Sequence, residues 1–406
     1  MDKERYIFEK FRSKLNGDDC AVIGERAYCK DLFVEGVHFR RGWLSLREIG
    51  AKAMLVNISD MIATNARAKY ALLGLAVPRE IGTHEIDELC VGVSGTAREW
   101  GIRIIGGDTI GSDRIALSVS LIGKCKCPVF RSGARVGDLI AHTGELGGVG
   151  RDLAVLLRDE ILLASSQMQN RNDKISSLQG PSDEVRSSGD KISPARAEPQ
   201  SLGAETSAMQ ILDLEPQSLD DKISPVYIKP QSLDAEISAQ NSVSQSGDDR
   251  KSPTAQSLSC ENSTSQSSAG ENPVPGSGSY RLREDLRAKI SKNSRFVRPV
   301  LRDKFFYKAA KLISAAMDIS DGLAQDLPRL LEASGVGARW IARPSEAALQ
   351  SGEEYEILFS FAPKFLPKIY AIAAKTGVSI NIIAEVCPRT PQSSMEFHGS
   401  SHHFAP

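Results

Sequence analysis

The sequence predicts a mixed α+β and α/β chain, built of two folded parts separated by a long low-complexity insertion. Three observations carry that reading. Strand-length apolar runs and helical-period stretches interleave on both sides of the chain, with neither a regular βαβ rhythm nor a Gly-x-Gly-x-x-Gly opening. A length of 406 residues with 41% hydrophobic content supports more than one core. From about Ser165 to Ser279 the composition turns to Ser, Gln, Asp, Glu and Pro, and between Ser166 and Ser279 Tyr227 is the only aromatic residue.

The elements follow in order. Lys3 to Leu15 places Tyr6, Ile7, Phe11 and Leu15 on one helical stripe. Ala21 to Ile23 and Leu32 to Val34 read as short strands. Leu46 to Asn65 is a helix with Ser45 at its N-cap, and Thr83 caps a second helix running to Trp100. Strands are expected over Tyr70 to Val77, Ile102 to Ile105, Ile115 to Ile122 and Leu139 to His142. Beyond the insertion, Phe305 to Ala315, Leu323 to Ser334 and Lys364 to Thr376 are helical, with strands over Ile357 to Phe361 and Ile380 to Ile383. The domain boundaries expected are 1–135, then 136–164 joined to 290–406, with 165–289 as the insertion.

That insertion repeats two tags. Asp-Lys-Ile-Ser recurs at 173–176, 190–193 and 221–224, and Pro-Gln-Ser-Leu at 199–202, 216–219 and 230–233. About two apolar residues per unit cannot offset a backbone ordering cost of roughly 1–2 kcal/mol per residue, so disorder is expected rather than a solenoid.

Composition excludes several classes. A net charge of −1 gives no long-range attraction for nucleic acid or an anionic membrane. No apolar run approaches the roughly 18–20 residues of a membrane span, and the charged start Met-Asp-Lys-Glu-Arg is unlike a signal peptide, so a cytoplasmic protein is expected. Seven dispersed cysteines (Cys20, Cys29, Cys90, Cys125, Cys127, Cys260 and Cys387) read as reduced thiols rather than a disulfide framework or zinc site.

The chemistry is carried by acidic residues where apolar segments meet turns. Asp18-Asp19 follow Gly17, Asp60 ends Asn-Ile-Ser-Asp, Asp108 follows Gly106-Gly107, and Asp318 and Asp321 flank Ile319-Ser320 before Gly322. Each alone is explicable as turn or cap chemistry. Gathered together they would repel unless cations neutralised them, and hard oxygen ligands suit Mg²⁺ holding a phosphate ester. No Gly-x-x-x-x-Gly-Lys-Ser/Thr loop accompanies them. Asp60 near a helix C-terminus opposes the helix dipole, and two carboxylates around one helix start exceed what capping needs. His38, Arg131 and the Gly352-Glu353-Glu354-Tyr355-Glu356 run remain open between surface roles and substrate contact.

In this order, Gly-Asp-Asp, Val-Glu-Gly-Val-His-Phe, Asn-Ile-Ser-Asp, Gly-Gly-Asp-Thr, Arg-Ser-Gly-Ala-Arg-x-Gly-Asp, Met-Asp-Ile-Ser-Asp-Gly-Leu and Gly-Glu-Glu-Tyr-Glu resemble the thiamine-monophosphate kinase family. That family sits in a superfamily with aminoimidazole-ribonucleotide synthetase. The resemblance covers nearly all of 1–160 and 290–406. It implies phosphoryl transfer from ATP to thiamine monophosphate, and an N-terminal aminoimidazole-ribonucleotide-synthetase-like domain whose strands pair across a homodimer, followed by a C-terminal α/β domain. The implied Mg²⁺ ligands are Asp19, Asp31, Asp60, Asp108, Asp318 and Asp321, with Asp60, Asp108, Asp318 and Asp321 at the reacting phosphates. Gly107, Asp108, Arg131 and Ser320 match nucleotide contacts. His38, Glu353 and Ser401 match acceptor contacts, Ser401 falling where the family has a stacking aromatic that Phe397 or Phe404 would replace. A K⁺ requirement stays open.

Cys29-Lys30-Asp31 stands where the family usually has Ser-Thr-Asp, so Lys30 either charges the cluster or points away from it as strand alternation permits. The alternatives are another ATP-dependent superfamily member, of the selenophosphate-synthetase or hydrogenase-maturation type, or a degenerate binding homologue.

Overall fold

A computed structural model of the chain describes residues 3–162 and 289–390. The expected disorder of the insertion, Ser401 and its aromatic substitutes therefore lie outside the described residues, save for the insertion's last residue, 289.

The N-terminal part opens with α1 (Lys3–Lys10), shorter than the helix expected to Leu15. A five-stranded sheet follows in the order β1-β2-β5-β3-β4. Its strands are β1 (Ala21–Ile23), β2 (Arg26–Val34), β3 (Arg67–Pro78), β4 (Arg103–Ser112) and β5 (Ala116–Lys124). All neighbours are antiparallel except β3 and β4. Two helices cover one face, α2 (Leu46–Ala63) and α3 (Thr83–Glu99). Period-two alternation sends Ala27, Cys29 and Phe33 of β2 under the helices and leaves Tyr28 and Leu32 exposed on the other face.

The start of α2 is as its sequence dictates. Ser45 accepts the Glu48 N–H while the Glu48 carboxylate accepts the Ser45 N–H, a reciprocal capping box. The start of α3 corrects an expectation. Gly82 is the N-cap and Thr83 the first helical residue, with Glu85 reaching back to the Gly82 N–H.

A larger correction concerns Gly106-Gly107-Asp108-Thr109. These residues are not a turn but the middle of the ten-residue strand β4. Ala71 pairs with Ile104 and Leu72 with Gly106, so Ile105 is bulged out of register. A Cβ on Gly107 would lie 1.8 Å from the Leu73 carbonyl oxygen, so glycine is needed there for the approach of β3.

The second sheet is antiparallel throughout, in the order β7-β9-β6-β10-β8. Its strands are β6 (Leu139–Thr143), β7 (Ala315–Asp318), β8 (Gly337–Trp340), β9 (Ile357–Phe361) and β10 (Ile380–Cys387). The central strand β6 precedes the undescribed stretch, while its partners all follow it. Residues 148–162 continue as α4, described as far as residue 162. Then come α5 (Asp303–Ala309), α6 (Leu323–Ser334), α7 (Glu346–Gln350) and α8 (Leu366–Thr376). The helix expected over Phe305 to Ala315 stops at Ala309, passes through a 3-10 turn, and Ala315 begins β7.

One apolar cluster runs from the inner face of the first sheet through α2 to Phe296, Phe305, Phe306, Phe359 and Phe361. A second fills the space between α6 and the second sheet around Met317, Ile319, Leu323 and Leu327. Cys20, Cys29, Cys90, Cys125, Cys127 and Cys387 are free thiols. No helix among the described residues is long and apolar enough to cross a membrane.

Candidate active site

A cleft of about 1510 Å³ opens where α2 and β2 meet the loop after β7. Its floor is acidic. Asp19 enters from the loop before β1, Asp60 from the last turn of α2, and Asp318 from the end of β7. One carboxylate oxygen from each lies within 4.8 Å of the others. These residues are separated by up to 299 positions in sequence, and the interlocking of the first sheet, α2 and the second sheet brings them together.

Burial pushes the Asp60 carboxyl well above its ordinary value, and the charges of Asp31, Asp318 and Asp19 add to it. Asp318 is raised for the same reasons, burial first and then Asp19, although the Ser59 hydroxyl donates to it at 2.6 Å. Asp19 is raised by burial in spite of Arg131, whose Nε and Nη2 donate to one oxygen at 3.0 and 2.5 Å. Burial works against the Arg131 charge, yet Asp19 holds the guanidinium firmly protonated. A hard divalent cation would relieve this mutual repulsion. The donors are carboxylate oxygens, so the residues present fit Mg²⁺.

Cys29 does not add a soft ligand. Burial, then the adjoining Cys20, then Asp60 and Asp31 push its thiol well above the ordinary range, and its Sγ donates to the Asn57 carbonyl at 3.4 Å. Lys30 turns to the other face of β2 and donates to the Ser118 hydroxyl. Asp31 stays on the helix side, its N–H held by the Asn57 side-chain oxygen at 3.0 Å.

Of the residues singled out from sequence, Asp19, Asp31, His38, Asp60, Arg131, Asp318, Ser320, Asp321 and Glu353 all line this one cleft. Gly107 and Asp108 do not. They lie on the exposed edge strand β4, where the Asp108 carboxylate accepts the Thr109 N–H at 2.9 Å. His38 Nδ1 accepts the Val34 N–H at 3.1 Å, which leaves the proton of the neutral ring on Nε2.

The loop from Asp318 to Gly322 is organised by a residue that sequence reasoning missed. Asp326 is fully buried and accepts the N–H groups of Ser320 and Asp321, both at 3.1 Å. Burial, then Asp321, raise its carboxyl to about 7. Neither Ser320 nor Asp321 caps α6; Gly322 does, at φ +101°, a left-handed backbone suited to glycine. Arg329, one turn on, reaches both Asp321 and Asp326. The available signal was the Asp-x-x-Arg spacing on the helix that follows the acidic loop.

The acidic run at 353–356 divides. Glu354 and Glu356 are fully buried and paired with Arg295, and Glu356 also with Arg302. Glu354 further accepts the Gly147 N–H at 2.7 Å and the Ser351 hydroxyl at 2.6 Å. Only Glu353 and Tyr355 of the run line the cleft.

The chain is similar to known proteins in sequence and in fold. The chain matches the AIR synthase related protein N-terminal domain over residues 17–125 and its C-terminal domain over residues 281–392. It is 33% identical over 161 residues to thiamine-monophosphate kinase of Aquifex aeolicus, covering 38% of this chain and 51% of that protein. To the same-named protein of Rhodopirellula baltica it is 35% identical over 169 residues, covering 38% and 54%. The chain thus spans about half the length of the curated relatives it matches. Its fold is similar to that of AaThiL complexed with AMPPCP and TMP, with a TM-score of 0.56, 20% identity, and coverage of 95% of this chain and 90% of that one. With both domain matches falling on the two halves that build the cleft, the chain belongs to the AIR synthase related protein family.

Proposed function

We propose that this chain is an ATP-dependent kinase that transfers the terminal phosphoryl group of ATP to the phosphate of thiamine monophosphate, giving thiamine diphosphate and ADP. The observation that carries the reading is the convergence of Asp19, Asp60 and Asp318 in one cleft. The names of the similar sequences and the ligands of the similar fold supply the substrate pair.

In this reading Asp19, Asp60 and Asp318 hold Mg²⁺, with Asp31 and Asp321 beside them. The metal would supply charge cancellation on the phosphates. The protein's own part is positioning. A phosphate acceptor is already nucleophilic at neutral pH, so the chain needs to align it rather than deprotonate it. Arg131 stands at the cluster with a permanent charge and a planar fork suited to phosphate oxygens. Ser320 and Asp321 present their side chains from a loop that Asp326 fixes. His38 and Glu353 line the part of the cleft assigned to the acceptor. The domain boundaries 1–135, 136–164 with 290–406, and 165–289 belong to the same reading, as does a cytoplasmic setting.

A homodimer completes it. The edge strand β4 carries Ile105 at 54% and Ile110 at 60% exposure, and further across the same sheet β2 exposes Leu32 at 57%. An apolar edge and face of this size call for a cover, and a second copy of the same sheet supplies a matching surface. Such pairing is also the route by which Gly107 and Asp108 would approach a nucleotide site.

The test is an ADP-release assay with thiamine monophosphate, ATP and Mg²⁺. Turnover that depends on all three is expected. Absence of acceptor-dependent ADP release, with nucleotide still bound, would overturn the kinase reading in favour of a binding homologue.

A further inference from the structure

We propose that Lys52, a residue that lines neither the acidic cluster nor the cleft, is a positioning residue for the acceptor end of the site. It acts through Glu353, and the inference rests on the two-ended reading of the cleft given above.

Lys52, Val56 and Asp60 fall on one face of α2 at successive four-residue steps, so Lys52 lies about 12 Å along the helix from Asp60. Asp60 thereby serves the metal end, while Lys52 sits beneath the opposite end. Its side chain is fully buried, an uncommon state for lysine. The ammonium lies 4.2 Å from the ring centroid of Phe296 and 5.8 Å from that of Phe33, and donates to Glu353 Oε2 at 2.6 Å. A buried ammonium must be matched by a fixed acceptor, so the pair locks the Glu353 carboxylate rather than leaving it to solvent.

The backbone there needs such a lock. Glu353 and Tyr355 both hold left-handed φ angles, +54° and +50°, without being glycine. This strap, residues 353–355, is pinned to the acidic loop by the Glu353 N–H to Ser320 O at 2.7 Å and the Tyr355 N–H to Ile319 O at 2.8 Å. Lys52 therefore ties α2 of the first part to a strained strap that also braces Ser320. The ion pair compensates the Glu353 charge, so the acceptor would meet a placed hydrogen-bond acceptor rather than a free anion.

The test uses the full-length protein with Lys52→Met, Lys52→Arg and Glu353→Gln. Lys52→Met is expected to raise KM for thiamine monophosphate about tenfold or more, with KM for ATP and kcat within about threefold, and Lys52→Arg to recover most of the loss. Combining Lys52→Met with Glu353→Gln should cost no more than the worse single change, since both act through one contact. Hydrogen exchange gives a readout independent of turnover. Lys52→Met should speed exchange of the Glu353 and Tyr355 amides while those of β3 and β5 stay protected. Equal rises in both KM values, or unchanged exchange in the strap, would overturn the proposal. If the wild-type chain does not accept thiamine monophosphate, the kinase reading fails but the exchange arm still decides the role of Lys52. Should Lys52→Met not fold, Glu353→Gln puts the same question from the partner side, and unchanged strap exchange there is equally fatal.

Discussion

Asp60 and Asp318 illustrate how a residue-scale signal becomes chemistry. Asp60 sits at a helix C-terminus, where the dipole disfavours an anion, and burial plus mutual charge raises both carboxyls. Changing either to Asn keeps the volume and removes one anion. Either variant is expected to lose about 10²–10³ in kcat, the scale of one lost electrostatic contact at a reacting centre, while its circular dichroism stays that of the parent. Asp326→Asn is expected to lower kcat and to loosen the loop, because the oxygen that accepts both backbone N–H groups loses its charge and the other, which accepts from Arg329, becomes an amide donor facing that guanidinium. Raised protection of the Ser320 and Asp321 amides in that variant would contradict the bracing role. At this scale the sequence was partly legible. The acidic motifs announced themselves by position, but the fates of Glu353, Glu354 and Glu356 did not. Neighbouring carboxylates in one short run went to a cleft and to a buried arginine pair, and Arg295 and Arg302 lie too far along the chain for local pattern to couple them.

The elements were legible where one face had to be buried. Ser45 at the N-cap marked the start of α2, whereas the helix is buried on nearly all sides, so its period could not single out the face that carries Asp60. Strand β4 was misread because two adjacent glycines and an aspartate normally signal a turn. Here the Gly107 position is set by the backbone of β3 across the sheet, a non-local cause invisible in the motif itself. Short β8 and α7 were missed altogether, since four and five residues carry too little periodicity. The exposed edge of β4 supports a prediction of its own. Ile105→Lys with Ile110→Lys should shift the particle mass seen by light scattering from dimer to monomer. A wild-type monomer at micromolar concentration would remove the dimer from the account.

For the whole molecule, the cluster couples stability to pH and metal. Carboxyls raised in the folded state bind protons more tightly there than when unfolded, so their contribution to stability is full below the ordinary carboxyl value and is lost as pH rises through the folded values. For Asp326 the window runs from about 4 to about 7; for Asp60 and Asp318 it begins at the same ordinary value and extends upward. Metal-free protein is therefore expected to melt at lower temperature at pH 8 than at pH 6, with Mg²⁺ narrowing the gap. The opposite slope would place these carboxyls outside a repulsive cluster. The chain on either side of residues 165–279 also meets, through Lys289 and Asp159 at 3.5 Å and through Ser294 and Asp152. Replacing 165–279 by a short Gly-Ser linker should thus leave the melting temperature within a few degrees, the effect of a change in loop length alone.

The most direct measurement is calorimetric titration of the protein with AMPPCP, with and without Mg²⁺, alongside Asp60→Asn and Asp318→Asn. Tight binding that requires Mg²⁺ and weakens by about tenfold or more in each variant is the result expected of carboxylates that grip a metal-bound nucleotide. Equal affinity with and without the metal, or in the variants, would contradict it.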